Sequence, residues 1–269
     1  MHLTEKRIGF IGTGKMGESL IRGILAAHSE ITLNASDVYK PALERLNTEL
    51  GINVSTDNTE TIGDSDVVVL AVKPQILKGV LAAIKDSITA DKLVISIAAG
   101  VPVAAIEDEL NEGTRVVRVM PNIAATVAEA ASAVCAGTNA TDEDMEIALE
   151  MFQSIGSAIT IPEKLMDAVT GLSGSGPAYI FPVIEALADG AVYEGLDRAN
   201  AITLAAQTVL GAAKMVLETG MHPGELKDMV TSPAGTTIRA MRTLEESGIR
   251  AAFMNAVIES STRSKELGN

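Results

Sequence analysis

The stretch that decides the fold is RIGFIGTGKMGESL, Arg7 to Leu20. An apolar run, Ile8 to Ile11, enters a loop holding Gly12, Gly14 and Gly17 in G-x-G-x-x-G spacing, and a helical pattern follows from Met16 to Ala27. Each glycine has a separate physical use in such a strand-turn-helix unit. The first permits the tight turn, the second lets the backbone approach a pyrophosphate, and the third allows the helix to close on the strand. The N–H groups at the helix start then meet the phosphates. This setting points to a dinucleotide-binding unit.

Outward from that loop, short β-branched runs alternate with amphipathic segments. ITLNA is followed by a helical stretch from Pro41 to Leu50, then DVVVLAV (Asp66 to Val72), KLVISIAAG (Lys92 to Gly100) and RVVRVMPN (Arg115 to Asn122). Val67 to Val72 is apolar at every position, as suits a strand covered on both faces. The alternation predicts βαβ units around a parallel sheet. From Leu165 onward no strand pattern remains, and NAITLAAQTVLGAAKMVLE (Asn200 to Glu218) is apolar nearly all round. Such a helix must be buried on most sides. A helical tail of this length cannot enclose it alone, so a second copy of the chain is expected to complete the core. The predicted class is α/β: an N-terminal Rossmann-type domain over 1–163, then an all-α dimerisation domain over 164–269.

Composition narrows the function classes. The 269 residues are 47% hydrophobic and 21% charged, a folded profile, and the net charge of −14 argues against a nucleic-acid partner. Aromatics are only 3%, so Ala, Val, Ile, Leu and Met must build the core. Cys135 is the only cysteine, and His2, His28 and His222 lack ligand spacing, so no disulfide and no metal site are expected. The apolar run at Ile8 leaves no room for a signal peptide, and no uninterrupted apolar stretch is long enough to span a bilayer. The expectation is a cytoplasmic protein with no membrane partner.

Two questions stay open at the residue level. Asp37 follows the glycines by about 20 residues, where a carboxylate would bond the ribose hydroxyls of NAD. Ser36 and Lys40 flank it and could instead accept the extra phosphate of NADP, while a plain helix cap is equally compatible with Asp37. Lys73, in AVKP, lies at the end of a strand where ligands gather, but Pro74 also makes it a strand-to-helix turn.

The missing histidine bears on the chemistry. Alcohol oxidation by hydride loss needs a general base, whereas a protonated C=N bond accepts hydride at carbon with no proton transfer in the same step. A cyclic-imine reductase can work by positioning and one hydrogen-bonding hydroxyl. A β-hydroxy-acid dehydrogenase would call on Lys214 or Lys227, and a non-enzymatic dinucleotide sensor would leave two helical-half turns without a purpose. Those turns are GLSGSGPAYIF (Gly171 to Phe181), where Ser175 reads as a helix N-cap, and TSPAGTTIRAM (Thr231 to Met241). Each serves as a cap or as a seat for a carboxylate.

In this order and spacing FIGTGKMG, AVKP, SIAAGV, MPN, GLSGSGPAY, HPGELKDMV and SPAGTTI resemble the pyrroline-5-carboxylate reductases. The resemblance implies NAD(P)H-dependent reduction of 1-pyrroline-5-carboxylate to L-proline, the last step of proline synthesis, by a homodimer or higher oligomer. NADP(H) is the favoured cofactor and NAD(H) the alternative. It implies a phosphate loop of Gly12, Thr13, Gly14, Lys15 and Met16, with Ser36 and Asn58 near the adenosine ribose. Ala71, Val72, Lys73 and Pro74, with Ala98, Ala99 and Gly100, would approach the nicotinamide. Ser232, Gly235, Thr236 and Thr237 would receive the substrate carboxylate, Thr237 also lying near the ring nitrogen and being presented by the partner subunit. Asn122 and Ser175 would line the cavity. Two departures stand out: Ala234 replaces the first glycine of Ser-Pro-Gly-Gly, where a Cβ limits positive φ, and Pro182 falls inside a helix, where it should kink the helix or remove a hydrogen bond.

Overall fold

The computed structural model describes residues 3–268. They form two compact units: one runs to Ser175 and resumes at Glu259, the other is Gly176–Ile258. The division expected at 163/164 follows the last strand, which ends at Thr160.

The first unit is built on one eight-stranded sheet, order β3-β2-β1-β4-β5-β6-β7-β8. Its strands are β1 Arg7–Ile11, β2 Thr32–Ser36, β3 Asn53–Ser55, β4 Val67–Leu70, β5 Leu93–Ser96, β6 Arg115–Met120, β7 Ala130–Ala136 and β8 Gly156–Thr160. The first six are parallel, Gly9 pairing Asn34 on one side and Val68 on the other. β6 and β7 pair antiparallel, and β8 runs parallel to β7. Chain order reverses direction at β1, which creates the crevice where such sheets bind ligands.

The helices of this unit are α1 Lys15–Ala27, α2 Lys40–Leu50, α3 Asn58–Gly63, α4 Pro74–Ile84, α5 Val103–Glu107, α6 Asp142–Gln153 and α7 Met166–Val169. Gly17, Leu20, Ile21 and Ile24 recur at helical spacing on α1 and are buried, as are Leu77, Leu81 and Ile84 on α4. The strands alternate between two cores. Val67 and Val69 join Leu20, Ile24 and Phe152, while Val68 and Leu70 join Leu77 and Leu81. Each such fully buried side chain contributes about 1.5–3 kcal/mol, an upper range.

Three strands escaped the sequence reading. β3 is three residues long, and β7 (AASAVCA) and β8 (GSAIT) are rich in Ala, Ser and Gly, which carry little strand propensity. Pairing with the rest of the sheet holds them extended. The helices α1 and α2 each begin one residue earlier than their patterns predict, at Lys15 and Lys40.

The second unit is helical: α8 Gly176–Tyr193, α9 Arg198–Thr219, α10 Pro223–Met229, α11 Thr236–Glu246, and α12 Ile249–Gly268, whose end belongs to the first unit. Pro182 lies inside α8, which continues through it. α8 and α9 pack on each other around Ala188, Ala201 and Ala205. One chain by itself leaves most of α9 uncovered: Leu204 is 58% exposed and Leu217 81%. By length and composition alone α9 is also long and apolar enough to cross a membrane, its apolar residues being interrupted by Thr203, Gln207 and Thr208.

Candidate active site

The three glycines of the loop stand in three different backbone settings. Gly12 has φ +99°, in the left-handed region, and its N–H donates to the Ser36 carbonyl at 2.8 Å, tying the loop to the end of β2. A Cβ built on Gly14 meets nothing within 4 Å, which leaves that face of the loop open to a ligand. A Cβ on Gly17 would stand 2.4 Å from the Gly12 carbonyl oxygen, so only glycine lets α1 approach this closely.

Around the loop lies a cavity of about 430 Å³ on the α1 side and another of about 370 Å³ on the β2 side. The second is lined by Gly12, Gly14, Ser36, Asn58, Ala71, Val72 and Lys73, seven of the residues expected to hold a cofactor. Ile11, Asp37, Val38, Ile76 and Val80 complete it. The last three were not singled out from the sequence, although Ile76 and Val80 stand four apart at the start of α4 and Val38 is an apolar residue in a polar turn. Ser36 Oγ donates to Asn58 Oδ1 at 2.7 Å. Asp37 is bound to the loop itself: Oδ2 accepts from Thr13 N at 2.7 Å and Thr13 Oγ1 at 3.0 Å, and Oδ1 accepts from Tyr39 N at 2.9 Å. Asp37 is thus not the cap of α2, whose N-cap position is Tyr39.

The open face at Gly14, the positive φ at Gly12 and an apolar slot beside a hydroxyl and an amide fit the adenosine and phosphates of a dinucleotide. Lys15 lines the other cavity with Glu18 and Arg22, and Met16 packs against the core. Lys73 is the exposed N-cap of α4 with Pro74 as its first residue.

The carboxyl ends of β5 and β6 bring further motifs to the same end of the sheet. After β5, Ala98 is buried, Ala99 is exposed and Gly100 has φ +74°. A Cβ on Gly100 would lie 3.7 Å from Leu267 Cβ, so the last turn of α12 backs this loop, anchored by Ser264 Oγ donating to Asp167 at 2.6 Å. After β6, the Asn122 side chain bonds backbone through both its oxygen and its nitrogen. Its Oδ1 accepts from Ala124 N and Ala131 N, and its Nδ2 donates to the Ser173 carbonyl at 3.0 Å. Asn122 therefore joins the MPN turn to the π-helical turn Thr170–Gly174. Ser175 does not act as the N-cap expected for α8: it closes the Thr170–Gly174 turn with helical backbone, and its hydroxyl pairs with that of Ser260 at 2.9 Å.

In the second unit, Ser232–Gly235 forms a turn closed by Gly235 N donating to the Ser232 carbonyl at 3.0 Å, and α11 starts at Thr236. No side chain caps that start, so its first N–H groups stand free beside the Ser232, Thr236 and Thr237 hydroxyls. Thr237 is half-buried.

Comparison with known proteins places this arrangement. Residues 163–267 match the family profile described as pyrroline-5-carboxylate reductase dimerisation, and residues 7–100 one described as NADP oxidoreductase coenzyme F420-dependent. The chain is 66% identical over 268 residues to the pyrroline-5-carboxylate reductase of Methanosarcina acetivorans, covering 99% of each. The chain belongs to the pyrroline-5-carboxylate reductase family. Solved members superpose over the whole chain: the Coxiella burnetii enzyme at 36% identity and TM-score 0.93, covering 98% of this chain and 99% of that one. The Plasmodium falciparum enzyme, with NADP bound, matches at 33% identity and TM-score 0.88, covering 99% of each chain.

Membership puts the remaining residues in context. Ala234, where the family turn was expected to carry glycine, takes φ +57° regardless. The turn keeps its left-handed shape at a cost of about 1–2 kcal/mol for a residue with Cβ. The general-base candidates of a hydroxy-acid dehydrogenase are surface ion pairs, Lys214 with Glu218 at 3.4 Å and Lys227 with Asp228 at 2.5 Å. His28 ends α1, His222 caps α10 through Nδ1 accepting from Gly224 N, and His2 lies outside the described residues. Burial pushes the Cys135 thiol up to about 11, so it has no nucleophilic role at neutral pH.

Proposed function

We infer that the chain reduces 1-pyrroline-5-carboxylate to L-proline with a nicotinamide dinucleotide, NADP(H) favoured over NAD(H). The observation that carries this reading is the pair of anion-shaped turns: the glycine loop at the switch point of the sheet, and the uncapped Ser232–Thr237 turn at the start of α11. A phosphate and a carboxylate need such turns. Relatives named for this reaction match the chain from end to end.

The residue roles follow. Gly12, Gly14 and Lys15 receive the phosphates, Thr13 shapes the same loop with its own donors on Asp37, and Ser36 and Asn58 receive the adenosine ribose. Ala71 to Pro74 and Ala98 to Gly100 face the nicotinamide. When bound, the dinucleotide supplies the hydride that reduces the imine carbon. The free N–H groups of the Ser232–Thr237 turn hold the substrate carboxylate, and the Thr237 hydroxyl bonds the ring nitrogen. Asn122 and Ser175 act by fixing the MPN and GLSGSG turns through Ser173 and Ser260.

The working assembly is a dimer or larger, with the Ser232–Thr237 turn of one copy presented to the cofactor of the other. The exposed apolar residues of α9 and α12, among them Leu204, Leu210, Met254 and Ile258, support this, because a lone chain leaves them in water.

The test is the loss of NADPH or NADH absorbance when 1-pyrroline-5-carboxylate is supplied to the purified protein. Saturable oxidation is expected with at least one of them. Absence of turnover with both, alongside measurable dinucleotide binding, would overturn the reading. A stable monomer in sedimentation would overturn the shared site.

A further inference from the structure

Asp37 is the only carboxylate lining the β2-side cavity, and Lys73 the only cation, among the described residues. It directly follows Ser36, whose hydroxyl is joined to Asn58 at 2.7 Å, so its charge stands where the adenosine ribose is read. The carboxylate is not free to swing out. Three donors hold it: the Thr13 amide at 2.7 Å, the Thr13 hydroxyl at 3.0 Å and the Tyr39 amide at 2.9 Å. Of about four acceptor positions on a carboxylate, three are filled, which leaves one for a ribose hydroxyl. A 2′-phosphate in the same place would instead meet a fixed like charge a few ångströms away.

We propose that Asp37 sets the ratio in which the enzyme uses NADH and NADPH, keeping NADH a working donor, and that Thr13 is the residue that positions it. The inference rests on the reading of the cavity as a dinucleotide site and qualifies the preference for NADP(H): the Ser36 hydroxyl and the Asn58 amide favour the extra phosphate, and Asp37 opposes it. Thr13 sits inside the phosphate loop, so the loop that receives the pyrophosphate also fixes the group that reads the 2′ position. An isolated surface aspartate would turn away from an incoming phosphate, whereas here that motion breaks three hydrogen bonds.

The experiment compares kcat/KM for NADPH and NADH in the wild type, Asp37→Asn, Thr13→Val and Thr13→Ser, with 1-pyrroline-5-carboxylate as acceptor. Asp37→Asn keeps the shape and removes the charge, and should raise the NADPH/NADH ratio about tenfold or more. Thr13→Val, which loses the hydroxyl donor, should raise it by a smaller factor, and Thr13→Ser should restore the wild-type ratio. A general loss of stability would lower both values together and leave the ratio alone. Binding of 2′,5′-ADP and 5′-AMP, followed by calorimetric titration, reads the same contact without turnover. In the wild type the two should differ by less than about tenfold, the gap widening in Asp37→Asn. An unchanged ratio in an active Asp37→Asn enzyme would overturn the proposal. So would wild-type protein binding 2′,5′-ADP more than about a hundredfold tighter, even if Asp37→Asn failed to fold. If no form turned the imine over, the reaction would be wrong while the titration still judged Asp37.

Discussion

The carbonyl oxygen of Gly12 lies where a Cβ on Gly17 would approach to 2.4 Å, so the first and third glycines of the loop touch across the turn. Gly14, between them, faces open space. The two kinds of glycine should therefore fail differently on substitution. Gly17→Ala must push α1 off the sheet and should cost about 1–3 kcal/mol, seen as a lower urea midpoint. Gly14 has φ −63°, which alanine adopts freely, so Gly14→Ala should unfold like the wild type yet bind dinucleotide at least about tenfold more weakly. Equal losses of stability in both variants would contradict this division.

Thr237 is the group assigned to the ring nitrogen. Thr237→Val should lower kcat/KM for the imine by about tenfold to a thousandfold, the range for one positioned donor. The Kd for dinucleotide should stay the same, because Thr237 belongs to the other turn. Steady-state kinetics beside a fluorescence titration of NADPH separates the two effects.

Acid stability should trace to Asp66. The Arg7 guanidinium bonds it at 2.9 and 3.2 Å, and the Arg7 amide at 2.9 Å, holding its carboxyl below the ordinary range. A depressed folded value means that the contribution is complete above the unfolded value of about 3.9 and disappears as pH falls through the folded one. The urea midpoint of the wild type should thus fall more steeply below about pH 4 than that of Asp66→Asn. Above that pH the wild type should be the more stable of the two.

Arg118 on β6 is 5% exposed and donates to Glu163 Oε1 at 3.0 Å, while the same oxygen accepts from Val103 N at 2.6 Å. Glu163→Ala leaves a buried guanidinium and the start of α5 without a partner. It should cost about 2–3 kcal/mol, and Glu163→Gln should recover part of that by restoring the acceptor. Urea denaturation of the three proteins measures both.

The buried thiol of Cys135, pushed up to about 11, should resist iodoacetamide in the native protein at pH 8 and react promptly in denaturant. Mass spectrometry of the alkylated chain reads the difference.

Much of this protein was legible in its sequence because the signals are local. The glycine spacing after Ile11 specifies a strand, a turn and a helix within a dozen residues, and backbone sterics enforce that outcome wherever the segment sits. The all-apolar run of β4 announces burial on both faces, and the Ser-Pro-Ala-Gly-Thr turn announces a helix start with free N–H groups. Tertiary structure alone decided the rest. β7 and β8, poor in strand-forming residues, are extended because neighbouring strands supply their hydrogen-bond partners, and no local pattern reports a partner far away in sequence. The same holds for Asp37, equally readable as a cap or a ribose ligand until its bonds to Thr13 came into view, and for Asn122, whose amide proved to be committed to Ser173. Periodicity can say which face of an element is buried. Which polar group meets which depends on distances that only the folded chain sets.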